Sequence, residues 1–321
     1  MTSSVRIFVI LGVFYLGACS VLRPFATDQT APEPGSSPQG ELVTPGFPTP
    51  LPPSPLPDIP GISPAQVRNA EYQLGYLAQI RMVALKDGRY EEGTPGSTDY
   101  FSVSVTDYIV RGDLDGDGEN EAVALVAENY GGSGTFVFLA VYRYVNEQAV
   151  FLTSIFLDDR PLVNSLAVEN GEIFVDAIVH NTDDPMCCPT YPTTRRYRLN
   201  GVTLIPTGYT TQTPAGELRQ ITIEAPVDSA QVSGIIRLLG HVTVAPFENT
   251  LVYRVYDLGG VELSAGPIPV GTTGPGIPGG FEKAVDLGNI LKDTTVRIAV
   301  EDRNPADGSL LAMDSIFLQI R

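Results

Sequence analysis

The sequence predicts two β-rich folded parts, an α+β domain over residues 63–207 and an all-β sandwich over residues 221–321. The chain has 321 residues, which is enough for two domains of roughly 100 to 200 residues each. It contains 32 Gly and 27 Pro but no Trp, and this composition favours turns and extended segments over helical bundles. Apolar runs of strand character recur in both parts and are separated by turn residues.

A helix is predicted at the start of the first part. Ser63-Pro64-Ala65-Gln66 has the form of a capping box with Pro at the first helical position. The apolar residues that follow lie at helical spacing: Val67, Ala70, Leu74, Leu77 and Ala78. The pattern predicts about four helical turns, ending near Ile80, whose apolar face covers a sheet.

Strands are predicted in the rest of the first part, over residues 81–85, 100–111, 121–128, 135–144, 150–157, 162–168, 172–180 and 195–199. Asp87-Gly88, Asn170-Gly171 and Asn200-Gly201 are favoured two-residue hairpin turns, because Gly and Asn accept positive φ. We therefore expect an antiparallel sheet covered by the helix.

Residues 208–220 are predicted to be a polar linker to the second part. Short strands are expected there near residues 221–223, 234–239, 242–244, 251–256, 281–285, 295–301 and 315–319. Short strands at this spacing are typical of a sandwich.

The second part carries several short motifs: Ile221-Thr222-Ile223-Glu224-Ala225-Pro226, Gly240-His241-Val242, Phe247-Glu248, the run from Leu251 to Asp257, and Asp307-Gly308 before the last strand. With these residues it resembles the immunoglobulin-like domain associated with bacterial spore germination proteins. The resemblance implies an immunoglobulin-like sandwich in an envelope or spore-surface protein, and it brings no catalytic residues.

The N-terminus has the features of an export signal. Arg6 precedes an apolar run, Ile7 to Leu16, that is too short for a transmembrane helix. Leu16-Gly17-Ala18-Cys19 resembles the lipobox of bacterial lipoproteins, which implies removal of residues 1–18 and a lipid on Cys19. The protein would then be exported and anchored to the bacterial cell membrane, facing the exterior or periplasm. The alternative is an ordinary signal peptide with an incidental Cys.

Residues 19–62 are rich in Pro, Thr and Ser and are predicted to form an extended tether. The chain has 20 Lys and Arg against 37 Asp and Glu, a formal charge of −17. This charge disfavours nucleic acid, whose phosphates it repels. The predicted partners are the membrane, through the lipid anchor, and an envelope protein or polysaccharide.

The clearest chemical motif is an acidic loop from Asp113 to Glu121, which predicts a calcium site. Asp113, Asp115 and Asp117 lie at positions 1, 3 and 5 of the motif, and Gly118 at position 6 permits a sharp turn. The remaining predicted ligands are the carbonyl of Glu119 at position 7 and the side chain of Glu121 at position 9. The alternative is a solvated acidic hairpin without an ion.

The surroundings of this loop indicate a structural role. Both flanks are predicted strands, and position 12, a bidentate Glu in an EF-hand, is Ala124. The arrangement resembles the strand-loop-strand calcium loops of integrin-type propellers, although one copy does not imply a propeller. We therefore interpret the loop as a structural brace on a hairpin, not as a sensor or catalytic metal site.

Cys187 and Cys188 lie between Pro185 and Pro189 and follow His180. Four interpretations remain: a structural loop with a disulfide between the two cysteines or to another chain, a surface recognition loop, a metal site that uses His180, and a Cys-His catalytic site. The sequence as a whole predicts a non-enzymatic, lipid-anchored envelope protein that serves as a surface binding module. The alternative function is an exported hydrolase with acidic catalytic residues near the calcium loop.

Overall fold

The computed structural model describes residues 61–75, 80–274 and 276–321. The predicted signal peptide, Cys19 and tether residues 19–60 lie outside these ranges. The tether prediction extends to residue 62, but Ile62 is fully buried and Gly61 forms a β-bridge with Asn120. The folded part therefore already includes Gly61 and Ile62, because Ile62 contributes its side chain to the core.

The described part of the chain is built almost entirely of strands, which confirms the prediction of a β-dominated fold. It contains one α-helical turn, α1 (Pro64–Val67), and one 3₁₀ turn (Phe247–Asn249). None of its helices is long and apolar enough to cross a membrane. The strands are β1 (Glu71–Leu74), β2 (Arg81–Ala84), β3 (Arg89–Glu92), β4 (Phe101–Gly112), β5 (Glu121–Asn129), β6 (Phe136–Val145), β7 (Gln148–Asp159), β8 (Leu162–Glu169), β9 (Glu172–Val179), β10 (Tyr191–Asn200), β11 (Thr203–Gln212), β12 (Leu218–Arg219), β13 (Ile221–Ala225), β14 (Gln231–Val232), β15 (Ile235–Val242), β16 (Thr250–Asp257), β17 (Glu262–Gly271), β18 (Gly279–Asp286), β19 (Thr295–Arg303) and β20 (Leu310–Ile320).

The predicted long helix is wrong. The capping box of Ser63 and Gln66 forms, but the helix ends after Val67. The chain then enters β1, where Tyr72 and Leu74 point into the core while β1 pairs with β2. Tertiary pairing and alternate burial outweigh the helical spacing here. Leu77 and Ala78 lie outside the described residues.

A five-stranded antiparallel sheet, β3-β4-β5-β6-β7, forms the centre of the first part. Ala122, Ala124 and Val126 of β5 pack beneath the N-terminal segment and β1–β2. Val123 and Leu125 point the other way, onto the layer formed by β8 to β11. Burial of both faces explains why β5 and β6 are apolar without alternation.

The predicted hairpin turns are largely confirmed. Asp87 and Gly88 both have positive φ, as do Asn170 and Gly171. Asn170-Gly171 joins two strands in which Glu169 is paired with Glu172. The third turn is shifted by one residue, because Asn200 pairs with Thr203 and leaves Gly201 and Val202 as the loop.

Strands β13 and β15 to β20 lie in one continuous sheet, in the order β13-β15-β18-β17-β16-β19-β20, which folds around one apolar core. One layer contains β13, β15 and β18, and the other contains β16, β19 and β20. Strand β17 belongs to both: its residues up to Pro269 pair with β16, and Val270 and Gly271 pair with β18. This switch closes one side of a sandwich-like arrangement.

The predicted linker is not a loop at its start, because β11 continues to Gln212. Beyond residue 207, Gly208 pairs with Asp314 and Tyr209 with Met313, so one sheet runs from β11 into β20. The guanidinium of Arg196 crosses Gly208, and a Cβ at this position would lie 2.1 Å from Arg196 Nε. This close approach requires a glycine at position 208.

A network of ion pairs secures this junction. Arg196 lies 2.5 Å from Asp314 and 3.5 Å from Glu172, and Arg198 joins Glu172 at 3.1 Å to Asp228 at 2.8 Å. Asp314 also accepts the backbone N–H of Ile223. Burial raises the pKa of Asp314 despite Arg196 beside it. The junction is therefore a partly buried polar contact.

Candidate functional site

The acidic loop lies between β4 and β5, which confirms its predicted strand flanks. β4 ends at Gly112 and β5 begins at Glu121, and these two residues are paired across the hairpin. Gly116 and Gly118 have φ of +80° and +89°. Most other residues are strained in that conformation, which explains both glycines.

Three of the predicted ligands come together in this loop. One carboxylate oxygen from each of Asp113, Asp115 and Asp117 lies within 4.8 Å of the others. Asp113 accepts the N–H groups of Gly116 and Gly118 at 2.7 and 3.1 Å. The backbone thus folds around Asp113 and turns the neighbouring carboxylates toward it.

The predicted ligand Glu121 is placed differently from the three aspartates. Glu121 is buried, lies outside the cluster of three aspartates and accepts the N–H of Leu114 at 2.9 Å. Burial raises the pKa of the Glu121 carboxyl, and the charges of Asp115 and Asp117 add to this effect. Glu119 is exposed, and its N–H donates to Asp117 at 2.8 Å.

A basic side chain borders the loop. Arg143 of β6 donates to Asp115 at 2.6 Å, and both side chains are partly exposed. Its guanidinium offsets part of the repulsion among the carboxylates. Sequence reasoning did not find this contact, because the pair is separated by 28 positions and depends on the pairing of β5 with β6.

The donor set of the loop fits a hard divalent cation. Carboxylate and carbonyl oxygens are the ligands of calcium, and each carboxylate keeps lone pairs beyond the one or two hydrogen bonds that it accepts. Asp113, Asp115 and Asp117 would supply side-chain oxygens, and Glu119 would supply its carbonyl.

The second unusual stretch forms a closed loop between β9 and β10. Cys187 and Cys188 are joined by a disulfide. Asp184 accepts the N–H groups of Asn181 and Thr190 at 2.9 and 2.7 Å, and the Thr190 hydroxyl at 2.8 Å. These bonds tie the two ends of the loop together.

His180 precedes this loop and is mostly buried. Its Nδ1 lies 3.0 Å from Asp158 Oδ2, and its backbone N–H donates to the same oxygen at 2.6 Å. Partial burial disfavours the charged ring, but the contact with Asp158 outweighs it, and the pKa of His180 is raised. The disulfide leaves neither cysteine as a free thiolate beside the imidazole, so the Cys-His catalytic interpretation lacks its nucleophile.

The chain matches no protein-family model. No curated protein sequence matches it either.

Proposed function

We propose that this chain is a non-enzymatic, lipid-anchored protein of the bacterial cell envelope, whose calcium-braced folded part serves as a surface binding module. The observation that carries the proposal is the convergence of Asp113, Asp115 and Asp117 within 4.8 Å on a strand-loop-strand hairpin. The lipobox-like stretch Leu16-Gly17-Ala18-Cys19 supports the anchor and the export that gives the loop access to external calcium.

Calcium is the cation that this loop suits. Neighbouring carboxylates repel each other unless a cation compensates them, and Arg143 contacts only one of the three directly. A dissociation constant of about 10⁻⁴ to 10⁻³ M, usual for extracellular calcium modules, is sufficient outside the cell. The ion would fix the β4–β5 hairpin, which is a structural role.

A binding role is favoured over hydrolysis by acidic residues near the loop. The loop carboxylates are engaged with backbone N–H groups of the loop itself or with Arg143. A cleft of 820 Å³ lies elsewhere, and residues 113–121 do not line it. Ligand sites are usually concave, so the cleft and the loop are best explained as separate features.

We assign residues 221–321 to the immunoglobulin-like class within this proposal. Two layers of strands around one core and the strand β17 that belongs to both support the assignment. The motifs from Ile221 to Pro226 and from Leu251 to Asp257 support it from sequence.

Calcium is expected to stabilise the folded chain. At 10 mM calcium the gain is about 1.4 to 2.7 kcal/mol for the affinity range above, because the ion binds only the folded loop. The melting temperature should rise by about 3 to 8 °C relative to chelator, as measured by differential scanning calorimetry.

Asp117→Asn should remove most of this gain, because it deletes one ligand charge and keeps an oxygen for the N–H of Glu119. Asp183→Asn is the matched control, because it makes the same change at an exposed position outside the acidic loop of residues 113–121. Equal melting temperatures in calcium and chelator for the unaltered chain would refute the brace.

Export and anchoring are tested by Cys19→Ser in a bacterial host. The lipid is attached to the Cys19 sulfur, so the variant should move from the membrane fraction to the soluble exported fraction. A lipid with two acyl chains on Cys19 is expected to hold the unaltered protein stably in the membrane, because two chains anchor far better than one. Unchanged processing and fractionation of the variant would contradict the anchor.

A further inference from the structure

The 820 Å³ cleft has walls from both halves of the folded chain. One wall consists of His180, the loop that follows it, and β10. The opposite wall consists of the end of β11 and the turn between β19 and β20. A concave site of this size accepts a ligand of a few rings.

Arg195 is the cation in the cleft that has no carboxylate partner among the described residues. Its Nη1 donates to the carbonyl of Leu157 at 2.9 Å, and its guanidinium carbon lies 5.7 Å from the ring centroid of Tyr209. Its Nε is buried without a hydrogen-bond partner. A buried donor without an acceptor costs about 1 to 3 kcal/mol.

The other basic side chains in the cleft are already paired. Arg219 pairs with Asp302 at 3.1 Å, and His180 pairs with Asp158. The Nε2 atom of His180 is also buried without a partner. Asp307 is the one carboxylate among the lining residues, and it is exposed at the turn that carries it. Arg195 therefore offers the uncompensated positive charge in a chain whose formal charge is −17.

The rest of the lining is amphipathic. Tyr191 and Tyr209 contribute aromatic side chains, and amide and hydroxyl groups come from Asn181, Thr182, Gln212 and Asn304. Rings of this kind give rigid amphipathic contact area, and amides and hydroxyls can both donate and accept hydrogen bonds. Such a lining suits a ligand with many hydroxyl groups and flat apolar faces.

We propose that this cleft binds a short saccharide with one carboxylate group, and that the planar fork of Arg195 holds the carboxylate. This inference rests on the proposed role as a binding module and names its site and ligand class. Arginine binds carboxylates through two parallel hydrogen bonds. A ligand with several carboxylates is disfavoured, because the strongly acidic chain repels it. The hydroxyl-rich lining favours a saccharide over an acidic peptide.

The wall that carries Asn181 and Thr182 is preorganised. Asp184 links the N–H groups of Asn181 and Thr190, and the disulfide of Cys187 and Cys188 constrains the loop between them. A wall fixed before binding loses little conformational entropy when the ligand enters.

Isothermal titration calorimetry of the folded chain with two matched disaccharides tests the proposal. Cellobiouronate should bind at least about tenfold more tightly than cellobiose, which lacks the carboxylate. Arg195→Gln should abolish that difference, whereas Arg237→Gln, an exposed arginine outside the cleft paired with Glu282, should preserve it. Thr182→Trp should block both sugars, because Thr182 is an exposed lining residue.

Equal affinity for the two sugars, or no binding of either at millimolar concentration, would overturn the proposal. Tighter binding of the blocked peptide N-acetyl-Gly-Asp-Gly-amide than of cellobiouronate would overturn it in favour of a peptide ligand. If calcium still raises the melting temperature but no sugar binds, the proposal for the cleft is refuted and the calcium brace is not. If a sugar binds but calcium does not raise the melting temperature, the brace is refuted and the proposal for the cleft is not. Thermal melting of Arg195→Gln shows whether the variant is folded, and Thr182→Trp tests the site without altering Arg195.

Discussion

Replacing Asp314 with Ala lowers the free energy of unfolding by about 2 to 4 kcal/mol, a value between those of exposed and fully buried ion pairs. The side chain of Asp314 is 13% exposed and that of Arg196 is 32% exposed. The variant leaves Arg196 with only the longer contact to Glu172 and leaves the N–H of Ile223 without its acceptor. The loss arises from these unpaired groups more than from the net value of the pair.

The position of Asp314 makes this effect large for the whole fold. Asp314 lies on β20, where it pairs with Gly208 of β11, so the variant weakens the point at which one sheet passes between the two parts. Urea denaturation measures the free energy of unfolding.

The control is Glu282→Ala, which breaks the ion pair with Arg237 at 2.5 Å. Because both of those side chains are more than half exposed, the control should cost less than about 1 kcal/mol. Equal losses in the two variants would show that the junction contributes nothing special to stability.

Leu139→Ala should destabilise the first part by about 2 to 5 kcal/mol, the range for deleting a buried leucine side chain. Leu139 is fully buried in β6, in the core between the five-stranded sheet and the layer formed by β8 to β11. Its neighbour Ala140 packs on the opposite face. Because both faces are covered, the surroundings collapse little into the cavity, and the cost should lie in the upper half of that range.

Leu162→Ala is the matched control, because Leu162 lies on β8 and is 56% exposed. It should change the free energy of unfolding by no more than about 0.5 kcal/mol. The measurement is again urea denaturation, with a check that both variants keep the same denaturant dependence. A loss below about 1 kcal/mol for Leu139→Ala would indicate that the face of β6 toward β8–β11 is not a packed core.

Local features were predictable from sequence because neighbouring residues determine them. The capping box of Ser63 and Gln66, the turn at Asn170-Gly171, and the positions of Gly116 and Gly118 each depend on a few adjacent residues. The alternation in β4, with Phe101, Val103 and Val105 buried, has the same origin.

The features that were missed depend on pairing between distant segments. The residues from Glu71 to Leu74 fit a helical spacing, and only their pairing with Arg81–Ala84 makes them a strand. The junction brings Arg196 to Asp314 across 118 positions, and no short-range pattern contains that information. The apolar runs in β5 and β6 could have indicated a sheet covered on both faces.

The candidate site also combines features that adjacent residues determine with features that depend on distant segments. The three aspartates of the loop converge because they are close in the chain, whereas Glu121 is turned toward Leu114 by its position in β5. The cleft around Arg195 was not predicted at all. Its walls come from the end of β9, from β10 and β11, and from the β19–β20 turn, which only the complete fold brings together.

The calcium brace can be observed in a crystal structure of the folded chain grown in 10 mM calcium chloride. We expect one ion in the loop, with oxygens of Asp113, Asp115 and Asp117 and the carbonyl of Glu119 at about 2.3 to 2.6 Å from it. A loop whose three carboxylates keep the contacts described above, with only water among them at that calcium concentration, would contradict it.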